Sequence, residues 1–181
     1  MGLPGRRESI QQLVDDYYAV LYRYAYRLSG SAADADDLTQ DAFCKAQSQL
    51  SQLRDHTRAK SWLFSILRNA YLHRVRAQSA HRCISLDQVA DLPENAAEPM
   101  PEVEPERLQQ ALDELAEVFR TPVILYYFED FSYRDIAEQM DLPLGTVMSR
   151  LARAKAYLRS RLTPTPSEAL ADGPRRATDG L

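Results

Sequence analysis

Four prolines and a run of acidic residues interrupt this chain between residues 87 and 106. The segment contains Pro93, Pro99, Pro101 and Pro105 and shows little apolar periodicity, so it cannot easily form a helix or bury a core. Residues 83–106 hold seven acidic side chains and no lysine or arginine. We therefore predict a flexible acidic linker over residues 83–105, with one folded unit on each side. The Pro- and Gly-bearing residues 163–181 are predicted to form a mostly disordered tail.

Apolar residues in the first unit recur at helical spacing. A first helix is predicted to bury Val14, Tyr17, Leu21, Tyr24 and Leu28 on one face and to end before Gly30. Further helices are predicted over about residues 33–50 and 60–77. No alternating run is long enough for a sheet. The chain is therefore predicted to be all-α, with two small helical domains over residues 8–82 and 106–162.

The second unit has the layout of a helix-turn-helix. Leu108, Leu112, Leu115 and Phe119 form one helical stripe, and Thr121 before Pro122 predicts the cap and first turn of the next helix. Ser132 and Asp135 have the spacing of a capping box. The short break DLPLG at 141–145 then precedes a basic helix.

The last helix has one apolar face and one face suited to DNA. Val147, Leu151, Ala154 and Leu158 share the packed face, and Ser149, Ala152, Arg153 and Ala156 lie opposite. Small residues beside arginines let a helix sit deep in the major groove while guanidinium groups reach bases or phosphates. A solvated basic helix is the simpler alternative, and the capped helix before it favours DNA binding.

The formal net charge of −4 conceals two basic blocks. Residues 54–82 carry seven basic side chains against Asp55 alone, and residues 134–161 carry six against three acidic ones. Trp62 lies in the first block, where an aromatic ring among cations suits unstacked bases. By itself, Trp62 is more simply a core anchor. We hypothesise that the acidic spacer suppresses binding of free DNA by these blocks.

Several functional classes are excluded or disfavoured by the residues present. The six glycines permit no P-loop or dinucleotide-binding pattern. The spacing of His73, His81 and Cys83 matches no compact zinc site, and no nucleophile has a recognisable catalytic context. We therefore predict no catalytic residue, metal or cofactor. With no membrane-length apolar run and no secretory signal, the expected location is the cytoplasm, without membrane insertion.

Three segments resemble the signature regions of the extracytoplasmic-function (ECF) group of bacterial RNA polymerase sigma factors. They are DADDLTQDAF at 34–43, SWLFSILRNAYLHRVR at 61–76 and FSYRDIAEQMDLPLGTVMSRLARAKAYL at 131–158. The resemblance implies a non-catalytic subunit that binds core RNA polymerase and promoter DNA and has an anti-sigma factor as partner. It also implies a polymerase-docking stripe of Asp34, Asp36, Asp37, Gln40 and Asp41.

The same resemblance implies two DNA-binding sites. A loop at about 53–61 would capture a flipped-out base of the minus-ten element, and the melted strand would contact Arg58, Lys60, Trp62, Arg68, Asn69 and Arg76. The minus-thirty-five element would be read by Ser149, Ala152 and Arg153, with Arg150 and Lys155 on phosphates. His73 and Met148 depart from the family pattern, and Met148 cannot donate a bidentate hydrogen bond to guanine.

Two other functions stay open from the residues alone. A stand-alone helix-turn-helix regulator would bind duplex DNA without needing the acidic stripe of the second helix. An interaction protein could use its basic helices to bind acidic partners. Both would weaken with salt, as would a sigma factor, so ionic strength does not separate the three.

Overall fold

The computed structural model describes residues 9–78 and 104–163, and the secondary-structure elements in these ranges are helices. Helices α1 (Ile10–Ser29), α2 (Ala32–Gln49) and α3 (Ala59–Gln78) precede the linker, with single-turn 3₁₀ helices at Leu50–Gln52 and His56–Arg58. Helices α4 (Pro105–Glu114), α5 (Glu117–Tyr127), α6 (Tyr133–Met140) and α7 (Leu144–Leu162) follow it. The predicted all-α fold is confirmed. Nearly all of the predicted linker and tail lies outside the described residues.

Helix α1 begins and ends at the residues that its sequence signals indicate. The Ser9 side chain accepts the N–H of Gln12 at 3.2 Å, which satisfies a free donor at the first turn. Gly30 follows the last turn with φ +71° and donates its N–H to the Tyr26 carbonyl at 2.7 Å, a left-handed cap that favours glycine. The buried residues of α1 are Leu13, Leu21, Tyr24, Ala25 and Leu28.

Helices α1, α2 and α3 pack around a shared apolar core. The Tyr24 ring stacks on Phe64 of α3 with 4.7 Å between centroids. Trp62 is half-buried against the same core, so its predicted role as a core anchor is met only in part. The remaining buried apolar residues of α2 and α3 are Ala35, Leu38, Ala42, Phe43, Ala46, Ala59, Leu63, Ile66, Leu67 and Tyr71. No helix in the described ranges is long and apolar enough to cross a membrane.

The predicted helix start at Thr121 and Pro122 is wrong. Helix α5 begins at Glu117, and Pro122 lies inside it. Extended residues Leu115 and Ala116 separate α4 from α5, so the predicted single stripe from 108 to 119 belongs to two helices. The start at Glu117 is set by backbone hydrogen bonds from residues 119 and 120 to the Ala116 carbonyl, each 2.9 Å long.

Pro122 is tolerated inside α5 because its missing N–H is replaced by a tertiary contact. A proline leaves the carbonyl four residues earlier without a helical donor, and that carbonyl belongs to Val118. Arg150 of α7 donates to it at 3.5 Å.

The helix-turn-helix forms as predicted. Ser132 and Asp135 make the complete capping box at the start of α6. Asp141 ends α6 in the left-handed conformation with φ 53°, and α7 begins three residues later at Leu144. The predicted packed face of α7 is buried, together with Leu162.

The two units contact each other directly, and their buried residues form one apolar cluster. The decisive contact is Arg120 of α5, which is buried and donates to the Leu28 carbonyl at the end of α1 at 2.6 Å. It also donates to the carbonyls of Asp113 and Leu115, at 2.7 and 3.0 Å. The Phe131 ring packs on Phe64 with 5.2 Å between centroids. The α4–α5 corner thus holds the C-terminal end of α1.

Two glycines give a matched test of this account. A Cβ added at Gly30 would lie 2.7 Å from a carboxylate oxygen of Asp113, and the backbone of Gly30 has a positive φ that disfavours other residues. A Cβ added at Gly145 has no neighbouring atom within 4 Å. We expect Gly30→Ala to lower the free energy of unfolding by about 1–2 kcal/mol and Gly145→Ala to raise it by up to about 1 kcal/mol. Urea unfolding followed by circular dichroism measures both. Equal effects of the two substitutions would contradict the assigned role of Gly30.

Candidate nucleic-acid and polymerase interfaces

The predicted docking stripe lies along the outer side of α2, where one arginine of α3 reaches it. The Arg74 guanidinium lies 3.1 Å from the Asp34 carboxylate, 3.8 Å from Asp37 and 3.5 Å from Asp41. The side chains of Asp37 and Asp41 nevertheless stay 69% and 67% exposed. Asp36 and Gln40 are also exposed. A partner cation can therefore reach the stripe while Arg74 limits the mutual repulsion of its carboxylates.

Arg74 was not among the predicted site residues. It lies in the basic block of α3, so its charge was visible in the sequence. Its pairing with carboxylates 33 to 40 positions earlier depends on how α3 packs on α2, and no local pattern reports that packing.

The loop between α2 and α3 is shaped by one buried residue and one carboxylate. Leu53 is buried and fixes the loop to the core. Asp55 accepts the N–H of Thr57 at 3.0 Å and its hydroxyl at 2.6 Å. Both hydrogen bonds hold the pKa of the Asp55 carboxyl below its usual value, and the bond from the Thr57 hydroxyl has the larger effect. The exposed loop thus has a defined backbone path.

A groove of about 410 Å³ lies beside this loop. It is lined by the loop, by the start of α3 including Trp62, and by three residues of α6. The lining residues are Gln52, Leu53, Arg54, Asp55, Arg58, Ser61, Trp62, Ser65, Asp135, Glu138 and Gln139. Its polar and aromatic walls can accommodate a nucleobase, which offers both a π-face and hydrogen-bonding edges.

The predicted minus-ten residues do not all lie at the groove. Arg58 and Trp62 line the groove, whereas the Lys60 ammonium is not part of the lining and binds the Glu129 carbonyl of the second unit. Asn69 and Arg76 are exposed farther along α3, outside the groove lining. Arg68 is mostly buried and faces α5, with its Nε 3.5 Å from the Glu117 carboxylate. The structure therefore places two of the six predicted residues, Arg58 and Trp62, in the lining of the groove.

The predicted minus-thirty-five face of α7 is open to solvent at its small residues. Ser149 and Ala152 are exposed, and Met148 beside them is half exposed. Arg150 is directed toward the Val118 carbonyl. Arg153 and Lys155 are partly buried, and the Arg153 Nε has no hydrogen-bond partner among the described residues. This face therefore exposes small residues, while its three cations, Arg150, Arg153 and Lys155, are partly buried.

Two contacts tie α6 to the loop and to the start of α3. Arg58 donates to the Glu138 carboxylate at 2.5 Å, and this bond, more than the charge alone, raises the pKa of Arg58. Gln139 donates its side-chain N–H to the Ser61 carbonyl at 3.3 Å. Sequence reasoning did not identify Glu138 or Gln139 as site residues, because the two segments are about eighty positions apart.

Glu129 is a buried carboxyl group at the same junction. Its carbonyl accepts a hydrogen bond from the Lys60 ammonium at 2.5 Å, and its side chain is buried with Oε1 lacking a hydrogen-bond partner among the described residues. Burial raises the pKa of this carboxyl to about 7. The positive charges of Lys60, Arg27 and Arg23 lower the pKa in part, and the negative charge of Asp130 raises it slightly. Glu129 is therefore partly protonated near neutral pH.

Comparisons with known proteins assign this arrangement to a family. The Sigma-70 region 2 family model matches residues 13–81, and the Sigma-70, region 4 family model matches residues 106–158. The ECF RNA polymerase sigma factor SigM of Mycobacterium tuberculosis (strain H37Rv) is 32% identical over 154 residues, which cover 85% of this chain and 77% of SigM. The chain belongs to the ECF sigma factors.

Two further proteins are similar to this sigma factor, one in sequence and one in solved structure. The ECF sigma factor SigE of Mycolicibacterium smegmatis is 36% identical over 167 residues, which cover 88% of this chain and 64% of SigE. The sigma factor RpoE from Bartonella quintana, solved in complex with the anti-sigma factor NepR, has a TM-score of 0.68 at 28% identity. That match covers 84% of this chain and 95% of the RpoE chain.

Family membership decides between the functions that the sequence left open. Sigma factors are DNA-binding transcription-initiation factors that act with RNA polymerase, and this chain is an alternative sigma factor. The expected resemblance is thereby confirmed. A stand-alone regulator does not account for the match to Sigma-70 region 2, which includes the stripe of α2 and the loop before α3.

The buried carboxyl of Glu129 predicts a pH dependence of stability. The pKa of Glu129 is raised in the folded chain and has its ordinary value in the unfolded chain. The protonated carboxyl therefore contributes fully to folding stability at pH values below that ordinary pKa, and this contribution is lost as the pH rises through about 7. We expect the free energy of unfolding of the wild type to fall more steeply than that of Glu129→Gln between about pH 5 and about pH 7. The difference in slope is at most about 1.4 kcal/mol per pH unit.

Urea unfolding at a series of pH values measures this difference, and Glu106→Gln, an exposed carboxyl on α4, is the control. The control should follow the wild-type profile. A Glu129→Gln profile that runs parallel to the wild type would contradict the assignment.

Proposed function

We propose that this sigma factor binds core RNA polymerase through the acidic stripe of α2 and directs initiation at promoters whose two elements are read by separate units. The first unit, residues 8–82, docks on the polymerase and opens the minus-ten element. The second, residues 106–162, reads the minus-thirty-five element. The proposal is supported above all by the exposure of Asp37 and Asp41, although Arg74 lies within 4 Å of both. A polymerase subunit needs such an acidic docking face, whereas a stand-alone DNA-binding regulator does not.

The minus-ten element is captured at the groove beside Trp62. A base that leaves the duplex loses stacking worth a few kcal/mol. A preformed pocket with an aromatic wall and adjacent cations offsets part of that loss. Arg58 and Lys60 hold phosphates at the mouth of the groove, and Asn69 and Arg76 follow the strand along α3. Arg68, which faces α5, serves the strand only after it leaves Glu117.

The minus-thirty-five element is read by α7. Exposed Ser149 and Ala152 let the helix approach base edges closely, and Arg153 supplies the longest donor on that face. Arg150 and Lys155 contact phosphates and fix the register of the helix on the duplex.

This sigma factor supplies recognition and strand opening and leaves all bond chemistry to the polymerase, so it is not an enzyme. It acts in the cytoplasm, where core polymerase and promoter DNA are present. An anti-sigma factor is its further partner, a proposal supported by the similar RpoE, which was solved in complex with NepR.

Transcription by purified core polymerase on a promoter library tests the function. With the wild-type chain we expect initiation at a defined promoter class. For Asp37→Asn/Asp41→Asn we expect at least about tenfold weaker binding to core polymerase, or about 1.4 kcal/mol, because the stripe loses the charges that a basic partner face would pair. Initiation should recover when this variant is supplied in excess.

The matched control is Asp15→Asn/Asp16→Asn, which removes two exposed charges from α1. It should bind core polymerase as the wild type does. Failure of the wild-type chain to direct any specific initiation, with a folded chain and active core, would disprove the proposed function. Unchanged affinity of the α2 variant would show that the docking face lies elsewhere.

Arg153→Ala tests the assignment of base reading on α7. We expect a loss of about 1–3 kcal/mol of discrimination at one position of the minus-thirty-five element, since a lost base contact affects the base it reads. Competition binding of duplexes with single-base changes measures it, and Lys155→Ala should weaken all duplexes about equally. A uniform loss for Arg153→Ala would reassign that residue to a phosphate contact.

A further inference from the structure

The first half of α7 exposes a face that carries no charged side chain. The exposed residues within 144–152 are Leu144, Gly145, Met148, Ser149 and Ala152. Their spacing places them on one side of the helix. Arg150, in the same stretch, is partly buried and directed toward the Val118 carbonyl. In a helix-turn-helix the N-terminal part of the second helix contacts base edges, so this neutral face is the one that the bases meet.

Met148 lies in the middle of that face and is the longest side chain there. It is large and apolar, yet it is 50% exposed. Among the described residues, it is not one of the partly buried apolar side chains that pack against the core. Its neighbours Gly145, Ser149 and Ala152 are small, so they leave the thioether accessible. A methionine side chain is unbranched, flexible and polarisable, which lets it adapt to an apolar group that approaches it.

The polar group beside Met148 is a hydrogen-bond acceptor. Ser149 donates its hydroxyl to the Thr146 carbonyl of its own helix at 3.0 Å, which engages its one proton and leaves Oγ free to accept. In the major groove guanine presents the acceptors O6 and N7, adenine and cytosine each present an amino donor, and thymine alone presents a methyl group. Met148 and Ser149 therefore offer guanine no donor, whereas Met148 offers thymine an apolar contact.

We propose that Met148 is a specificity-determining residue of this sigma factor. Its side chain packs on the C5-methyl group of one thymine in the minus-thirty-five element, and this contact selects an A·T pair at that position. The proposal rests on the proposed promoter-reading function and deepens it by naming the base pair that one residue reads. An arginine at the same position would select guanine by hydrogen bonding instead.

The expected size of the effect follows from the apolar surface that the methyl group removes from water. Full burial of one such carbon group changes an affinity by about fourfold. A contact in the groove buries the methyl group only in part, so the expected change is about two- to fourfold. The contact still discriminates, because the other three bases lack a methyl group at this edge.

Replacing thymine by deoxyuridine tests the contact directly, because it removes the methyl group and keeps the hydrogen bonds of the base pair. Holoenzyme is assembled from core polymerase and the full chain. The probes are fragments of a promoter selected by transcription, in which each thymine of the minus-thirty-five element, on either strand, is replaced in turn. Competition binding compares each probe with the unmodified promoter. At one thymine we expect the replacement to weaken binding by about two- to fourfold.

The variant Met148→Ala identifies the residue that reads this methyl group. Met148 is exposed and alanine favours a helix, so the variant should fold as the wild type does. We expect it to bind the unmodified promoter about two- to fourfold more weakly and to treat thymine and deoxyuridine alike at the sensitive position. The matched control is Leu144→Ala, which truncates a 48% exposed apolar side chain one turn earlier. The control should still distinguish the two bases there.

The variant Met148→Arg tests which base pair the position selects. An arginine can donate two hydrogen bonds to guanine O6 and N7. In transcription from the promoter library, we expect this variant to favour a G·C pair at the position where the wild type favours the sensitive A·T pair. Continued preference for the A·T pair would contradict the assigned role of Met148.

The outcomes separate this proposal from the function on which it rests. If the holoenzyme initiates specifically but no deoxyuridine replacement weakens binding, or if the selected element contains no thymine, the methyl contact is disproved and the proposed function stands. If Met148→Ala still distinguishes thymine from deoxyuridine at the sensitive position, another residue reads the methyl group and the proposal is overturned. If no promoter is selected by the holoenzyme, the proposed function and this proposal fall together.

Discussion

The buried guanidinium of Arg120 is the interaction on which the arrangement of the two units depends. A helix leaves its last carbonyls without intrahelical donors, and in α1 two of these are served by the second unit. Arg120 donates to the Leu28 carbonyl at 2.6 Å, and Gln109 donates to the Arg27 carbonyl at 3.3 Å. The negative end of the α1 dipole favours a cation at this place. A buried charge needs such partners to be tolerated, and two of these hydrogen bonds, from Arg120 to Leu28 and from Gln109 to Arg27, join the units.

The contacts at the loop before α3 follow from that anchor. Once the α4–α5 corner holds the end of α1, the segment after α5 must pass over α1 and the start of α3. There the Arg27 guanidinium lies 4.3 Å from the centre of the Phe128 ring, and Phe131 packs on Phe64. These aromatic contacts carry α6 onto the loop. The position of Glu138 opposite Arg58 is thus a consequence of packing that begins at the other end of the interface.

Local sequence signals predicted the helices and their caps well, because a cap involves residues within four positions of each other. Ser132 with Asp135 and Gly30 are examples. The start of α5 was predicted wrongly because it is set by the α4–α5 corner, where Arg120 binds the carbonyls of Asp113 and Leu115. The same limit applies to the candidate site. Charge and aromatic pattern indicated the surfaces, whereas the pairing of Arg74 with α2 depends on helix packing that one sequence does not report.

The charges of the chain form two classes that differ in how easily they exchange partners. In the basic block, Arg58 meets α6, Arg74 meets α2 and Arg68 meets α5, each through an ion pair with a different helix. The pairs of Arg58 and Arg74 are partly exposed, so a phosphate or a partner's charge can replace their carboxylates at little net cost. Arg120 is buried among carbonyls of both units, so its bonds can change partner only when the surface around it is exposed. The chain thus combines one buried cation that joins the two units with partly exposed cations that can change partners without disturbing that anchor.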